Sequence, residues 1–311
     1  MQNIAIMQHQ IVLTPGQVLS MGFKAHNGLP NDNDGEMTDK NVNLFKKICG
    51  SNPTVIALMW HDIISNGGAH VHTEKDFKRH LMAMHFLWAC PKNVKILALA
   101  LGVSTRQVQG ENLWQWVRMI AAQKEHKIIW PTEEFENPNS QKFLASVDGV
   151  DFKVWEGKHP TLPYDRRNMS HKFKKAAVKY GIAVDIHRSR VVWLSEPYRG
   201  GVHDKTIYLE GLGAKVPEGK FIIVDGVYGG ASTTPADHKK MALPSSINKG
   251  KLRNFKARVR SRHETFNGRI RDFSVLSNTF RHKQDKHKHA FEAVCVTIQY
   301  QMENGNPLFD A

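Results

Sequence analysis

The spacing of the apolar residues changes near residue 135, and this change constrains the fold more than any other feature of the chain. From residue 41 to about residue 124, apolar side chains recur at steps of three and four residues, as at Leu44 and Ile48, which is typical of amphipathic helices. Beyond residue 135 they occur in short or alternating runs between turn-forming residues, which indicates β-strands. The pattern predicts a mostly flexible N-terminus over residues 1–40, an all-helical domain over 41–134, and an α/β domain with a mixed sheet over 135–311.

The charge of the chain points to a polyanionic partner. Lys and Arg number 43 against 29 Asp and Glu, so the formal net charge is +14, and nucleic acid is the first candidate for such an excess. A membrane surface is the second candidate, but no run approaches the roughly 18 uncharged apolar residues that a spanning helix needs. The 3 cysteines are widely spaced and predict neither a disulfide framework nor a zinc knuckle. The N-terminal residues do not resemble a secretory signal, so we expect the protein to stay inside the cell.

Residues 93–123 have the pattern of a helix-turn-helix unit. An apolar helix is followed by a glycine turn and by a second helix that begins on a capping box formed by Ser104 and Gln107. Such a unit can place its second helix in the major groove of DNA, and an ordinary helical hairpin explains the pattern equally well. If the unit binds DNA, Arg106 and Gln109 are the side chains expected to contact it, whereas the large apolar residues further along the helix are expected to pack in the core.

Two aspartates follow short apolar strands. Asp148 comes after the strand predicted at 143–147, Asp225 comes after the strand predicted at 221–224, and each is followed directly by glycine. An Asp-Gly pair alone is an ordinary turn signal. Two carboxylates at strand ends, joined by a third acid, are also the oxygen ligands that a pair of Mg²⁺ ions requires.

The third acid is Glu264. It lies in a predicted amphipathic helix over residues 258–273, at the border of the apolar stripe, where a side chain can reach a cleft. The alternative is a solvated glutamate that pairs with the arginines around it.

The densest positive charge of the chain surrounds this helix. Residues 249–288 contain 13 Lys and Arg, a density that favours contact with phosphate groups over an ordinary solvated surface. The side chains expected to bind DNA here are Lys256, Arg258, Arg260, Arg262, Arg269 and Arg271. Three nearby histidines, His282, His287 and His289, stand among lysines that would repel a cation, so a phosphate-facing loop is favoured over a zinc site.

Several short segments carry a resemblance to a known family. They are Ser146-Val-Asp-Gly149, Ser170-His-Lys-Phe173, Val192-Trp-Leu-Ser-Glu-Pro197, Gly201-Val-His-Asp204, Val224-Asp-Gly-Val-Tyr228, Arg262-His-Glu-Thr265 with Asn267, and the ending 299–309. In order and spacing the chain resembles DDE-superfamily endonucleases of the PIF/Harbinger type, the transposases of certain eukaryotic DNA transposons. One departure is Val227 before Tyr228, where the family usually has glycine.

The resemblance implies a fold and a reaction. It implies a ribonuclease H-like catalytic domain in which Asp148, Asp225 and Glu264 hold two divalent metal ions, Mg²⁺ or Mn²⁺, for DNA cleavage and strand transfer. Asp204 matches a fourth acid of the family and is a less certain metal ligand, since it also begins a predicted helix and could serve as its N-cap.

The resemblance also implies partners and a location. We expect double-stranded DNA as the substrate, namely transposon ends and target, a Myb-like DNA-binding protein as a partner, self-association into a homo-oligomer, and work in the nucleus. The alternative function is that of a domesticated, catalytically silent DNA-binding or scaffold protein that descends from a transposase.

Overall fold

A computed structural model describes residues 12–26, 35–66, 73–91, 94–156, 165–229, 240–244 and 250–311. Within these ranges the first half of the chain is helical, as predicted. Its helices are α1 (Pro15–Ala25), α2 (Asp39–Cys49), α3 (Pro53–Asn66), α4 (Glu74–Ala89), α5 (Val94–Ala100), α6 (Thr105–Gln109), α7 (Glu111–Ala122), α8 (Lys124–Lys127) and α9 (Thr132–Glu136).

Helix α1 lies inside the segment that was expected to be mostly flexible. A capping box between Thr14 and Gln17 starts the helix. Its residues Val18, Leu19 and Phe23 are buried in the main core. The expectation of a flexible segment over residues 1–40 is therefore wrong for this helix, because its apolar face packs against α3 and α2.

The predicted helix-turn-helix unit consists of three helices instead of two. The capping box forms as expected, with the side chain of Ser104 accepting from Gln107 N. The helix that starts there ends at Gly110, where α7 begins in a new direction. Arg106 is exposed, whereas α7 packs in the core against α4 and the last helix of the chain. Gln109 ends α6, and its side chain lies outside the described part of the structure.

The second half forms a mixed sheet of six strands. These are β1 (Phe143–Lys153), β2 (Ala177–Asp185), β3 (Val191–Leu194), β4 (Tyr198–Arg199), β5 (Phe221–Ile223) and β6 (Met241–Ala242). The order is β3-β2-β1-β5-β6, with the short β4 paired to β2. Neighbouring strands are antiparallel among β1, β2 and β3, and parallel from β1 through β5 to β6. This is the ribonuclease H-like arrangement implied by the resemblance.

Strand β1 does not end at Asp148. It runs on to Lys153, because β2 pairs with it from Ala145 to Lys153, with Asp148 opposite Ile182 and Gly149 opposite Gly181. The turn signal of the Asp-Gly pair is overridden by this ladder of hydrogen bonds. The expected strand-end position is therefore wrong for Asp148, which lies in the middle of a strand, and correct for Asp225, which follows β5.

Short helical segments connect the strands, and three further α-helices complete the chain. The connecting segments are α10 (Asp204–Ile207), which continues as a π-helical turn (Tyr208–Leu212), and the 3₁₀ turns Arg166–Asn168, Gly213–Lys215 and Gly226–Gly229. The final helices are α11 (Lys251–Asp272), α12 (Ser274–Ser277) and α13 (Gln284–Glu303).

The helical half and the sheet share one hydrophobic core. Residues from both halves belong to the same buried cluster, and α13 fills the space between α7, α3 and the sheet. Tyr300 on α13 donates its hydroxyl proton to Asp62 on α3 at 2.6 Å, and Lys124 pairs with Glu292 at 2.8 Å. The predicted boundary near residue 135 is thus a boundary in secondary structure, across which the core is continuous.

Candidate active site

Parallel pairing of β1 and β5 brings two of the predicted acids together. Ser146 on β1 is the partner of Ile223 on β5. Asp148 lies two residues after Ser146, and Asp225 lies two residues after Ile223. The two carboxylates therefore lie side by side at the same point of the sheet. After Asp225 the chain turns away into the 3₁₀ turn, and Asp225 Oδ1 accepts a hydrogen bond from Gly226 N at 2.6 Å.

Helix α11 brings Glu264 to the same place. Two buried side chains dock this helix on β1: His263 Nδ1 lies 2.8 Å from Ser146 Oγ, and Asn267 Nδ2 donates to Asp148 Oδ2 at 3.0 Å. Glu264 stands next to His263 in the sequence, with its side chain exposed. Among the described residues it forms no ion pair, so the alternative of a surface salt bridge with nearby arginines finds no support.

The three acids line one cavity of about 600 Å³. Arg260 lines the same cavity. Burial raises the pKa of Asp148 from 3.8 to about 7, and the negative charges of Asp204, Glu264 and Asp225 contribute in the same direction. The cavity is therefore a place where negative charge is crowded and where a cation would relieve the repulsion.

The environment of Asp225 differs from that of Asp148. Its side chain is 55% exposed, and Arg260 Nη1 lies 3.3 Å from its Oδ1. Asp148 is half-buried, and its two oxygens accept from Gly149 N at 2.9 Å and from Asn267. Neutral donors thus fix Asp148, whereas Asp225 is paired with the partly exposed cationic side chain of Arg260.

Asp204 lies near these acids but outside the cavity lining. Its Oδ1 lies 2.8 Å from Nζ of the buried Lys179. The N-cap of α10 is His203, whose side chain accepts from Lys205 N, so the N-cap interpretation of Asp204 is wrong. A role for Asp204 as a metal ligand stays a prediction, and the ion pair with Lys179 competes with it.

The donor set of the cavity suits a hard divalent cation. Carboxylate oxygens are the ligands that Mg²⁺ and Mn²⁺ prefer, and three carboxylates converge on one cavity in which burial and neighbouring negative charges raise the pKa of Asp148. Within the described ranges, no three His, Cys, Asp or Glu side chains are already arranged around a common metal position. The residues therefore fit the chemistry of such a cation, and Glu264 and Asp225 are exposed enough to move towards it.

Arg262, one of the predicted DNA contacts, is buried. Its guanidinium donates to the carbonyl oxygens of Phe309 at 2.8 Å, of Arg188 at 2.7 Å and of Asp185. It ties α11 to the β2–β3 turn and to residue 309. The prediction that Arg262 binds DNA is wrong, because a side chain 3% exposed and committed to three carbonyls cannot reach a phosphate.

Two more of these arginines hold the segment 306–310. Arg269 donates to the carbonyls of Asn306 at 2.6 Å and Pro307 at 2.9 Å, and Arg258 donates to that of Asp310 at 2.6 Å. Both predictions of DNA contact are weakened, because these donors already have partners. Lys256 Nζ donates to Leu243 O at 2.9 Å, Arg271 is half-buried, and Arg260 faces the cavity.

Of the three histidines near the end of the chain, His282 and His287 pack against aromatic rings, whereas His289 is half-buried beside Glu292. His287 is fully buried, stacks on Tyr180 and lies 2.9 Å from its hydroxyl, while His282 packs edge-on against Trp114. The expected phosphate-facing role is wrong for His287. Tyr228, whose role the departure at Val227 left open, is buried against Tyr208.

Some residues of the site were not predicted to have a role in it. The sequence places His263 on the buried stripe of its helix and Asn267 within a family motif, but it does not predict their contacts with β1 or the ion pairs of Lys179. The signal that could have found them is a polar residue at a buried helix position. His263 falls on the apolar stripe of α11, and Asn267 stands one turn beyond it, where a polar side chain needs a buried partner.

The sheet and its carboxylate-lined cavity define the second half as a ribonuclease H-like domain. Residues 147–298 match the family model described as DDE superfamily endonuclease. The match spans all three acids of the cavity.

Other comparisons add little. A solved structure titled "Crystal structure of a pre-cleavage Mos1 transpososome" is 8% identical, with 94% of this chain and 97% of that chain covered and a TM-score of 0.16, which is too low to carry an argument. No curated protein matches the chain. Across the described ranges, no helix is long and apolar enough to span a membrane.

Proposed function

We propose that the protein is a transposase-type endonuclease that cleaves DNA phosphodiester bonds and transfers the freed strand at the cavity of Asp148, Asp225 and Glu264. The observation that carries this proposal is the convergence of these three acids, distant in sequence, on one cavity of the sheet. The superfamily match over residues 147–298 supports it. The motifs quoted above favour the PIF/Harbinger type within that superfamily.

The four charged residues of the cavity each have a role in this proposal. Asp148, fixed by Asn267 and Gly149 N, would hold the divalent cations together with Asp225 and Glu264. When bound, Mg²⁺ or Mn²⁺ would activate the attacking water or 3′-hydroxyl and stabilise the leaving oxygen. Arg260 is free to bind a backbone phosphate once a cation replaces it as the partner of Asp225.

The substrate in this proposal is double-stranded DNA, first the ends of a transposon and then a target. Cutting requires no contact with base edges, so sequence preference would come from the helical half, where Arg106 is exposed, or from a Myb-like partner protein. The family resemblance further suggests a nuclear location and a homo-oligomeric assembly.

A nicking assay on labelled duplex tests the activity. Wild type should nick with Mg²⁺ or Mn²⁺ and be silent with EDTA, and Asp148→Asn, Asp225→Asn and Glu264→Gln should each lower the rate at least about a hundredfold, because each removes a metal ligand. Asp272→Asn is the matched control, since it removes an exposed charge from the end of α11. If Asp225→Asn nicks like wild type, the proposed site is wrong.

One feature favours the rival, a silent DNA-binding or scaffold protein. Asp225 is paired with Arg260, an arrangement that a purely structural acid would also show. The rival predicts duplex binding without nicking under every metal condition, and equal binding by wild type and Asp225→Asn.

A further inference from the structure

A buried lysine stands between two aspartates behind the catalytic strand. Lys179 on β2 is 8% exposed, and its Nζ lies 2.8 Å from Asp204 Oδ1 and 3.5 Å from Asp151 Oδ1. Asp151 is further held by the hydroxyl of Ser170. A buried ammonium is costly unless it is paired, so this position is built around the two carboxylates.

The carboxylate of Asp204 packs against Gly149 of β1. A Cβ placed on Gly149 would stand 2.3 Å from Asp204 Oδ1 and 2.4 Å from its Cγ. Only glycine at position 149 leaves room for this carboxylate. The charge of Asp204 therefore lies directly beside Asp148, the residue that precedes Gly149.

The ion pair separates Asp204 from the metal chemistry. Asp204 does not line the cavity, and its Oδ1 faces Lys179. Two carboxylates share one ammonium, so the group of Lys179, Asp151 and Asp204 carries one net negative charge. A negative charge held beside a metal site without ligating the metal strengthens cation binding through Coulomb attraction alone.

We propose that Lys179 is a positioning residue that holds Asp204 against Gly149, as a fixed negative charge that raises the affinity of the cavity for divalent cations while Asp204 itself never becomes a ligand. This inference rests on the proposed function, since it concerns the same cavity. It assigns the fourth acid of the region a different task from the other three.

Mn²⁺ binding to the whole chain tests this without any need for catalysis. The free-Mn²⁺ signal in electron paramagnetic resonance gives the dissociation constant and the number of ions bound. Asp204→Asn should weaken Mn²⁺ binding about tenfold without changing the number of ions. At saturating Mn²⁺ its nicking rate should stay within about threefold of wild type. Asp272→Asn controls for the change in overall charge.

Gly149→Ala tests the position of the charge separately. The added methyl group would force the Asp204 carboxylate away while leaving every charge in place, so Mn²⁺ binding should weaken, and Gly149→Ala should have no further effect in an Asp204→Ala background, where the clash is gone. Lys179→Gln should lower the melting temperature, and adding Asp204→Asn should recover part of the loss, because it neutralises one of the two carboxylates left without their cation while Asp151 stays charged.

The outcomes separate the two proposals. If wild type binds no Mn²⁺, the proposed function fails. If wild type binds Mn²⁺ and Asp204→Asn binds it equally well, only the role of Asp204 fails. Loss of one bound ion, or loss of nicking at saturating metal in Asp204→Asn, would show that Asp204 is a ligand and would also overturn the inference.

Discussion

On the side of α11 that faces segment 306–310, arginine side chains are satisfied by backbone carbonyls, whereas on the side that faces the cavity carboxylates crowd one another. Arg262 and Arg269 show the first situation. The raised pKa of Asp148 shows the second. Hydrogen bonds from arginines thus stabilise one side of α11, whereas crowded carboxylates destabilise the other side. Charged residues that look alike in the sequence therefore have opposite effects on stability. Three changes would break or sharpen this contrast.

The largest effect is expected from Arg262→Met. It leaves the carbonyls of Phe309, Asp185 and Arg188 without their donor, so the free energy of unfolding should fall by about 3 kcal/mol. Urea denaturation followed by circular dichroism measures this. Arg253→Met, on an exposed position of the same helix, should change it by less than about 0.5 kcal/mol. Equal effects of the two substitutions would erase the contrast between the sides.

Asp148→Asn should act in the opposite direction. Because the folded-state pKa of about 7 lies above the ordinary 3.8, ionised Asp148 destabilises the metal-free fold. The cost is absent below pH 4, grows as the pH rises, and is complete above pH 7. At pH 8 with EDTA, Asp148→Asn should therefore stabilise the fold by roughly 2 kcal/mol, allowing for solvent screening.

Thermal unfolding from pH 4 to pH 8 follows this difference. Wild type and Asp148→Asn should coincide at the acid end and diverge towards pH 8. A constant difference across the range would mean that Asp148 is not held in a crowded, negatively charged environment.

The smallest effect concerns DNA affinity. Arg260→Gln should weaken duplex binding a few-fold and lower the slope of log affinity against log salt by about one, because one phosphate contact is lost. Arg269→Gln, whose donors serve carbonyls, should leave the slope unchanged. Fluorescence anisotropy at several salt concentrations compares them. If both variants keep the slope of the wild type, neither side of α11 contacts DNA.

The position of the acids could be predicted from the sequence better than their surroundings. The order of strand, strand and helix places Asp148, Asp225 and Glu264 together in any ribonuclease H-like sheet. The continuity of β1 through Gly149 could not be foreseen, because it depends on pairing with β2 and on the approach of Asp204.

The roles of Arg262 and Arg269 could not be predicted from the sequence, for the same physical reason. Their partners are carbonyls that come from the β2–β3 turn and from residues 306–310, far along the chain, and no local pattern encodes such contacts. Charge density in a sequence indicates how many cations are present, whereas only the tertiary fold decides which of them are left for a ligand. The break of the second helix at Gly110 was the more accessible signal, since glycine weakens a helix interior.

The shared core has a consequence for how the protein is made. Helix α13 is the last helix of the described chain, yet it completes the core against α3 and α7 of the first half. A ribosome delivers residues 284–303 after all the helices of the first half, so the apolar faces of α3 and α7 that pack against α13 stay exposed in the nascent chain until α13 emerges.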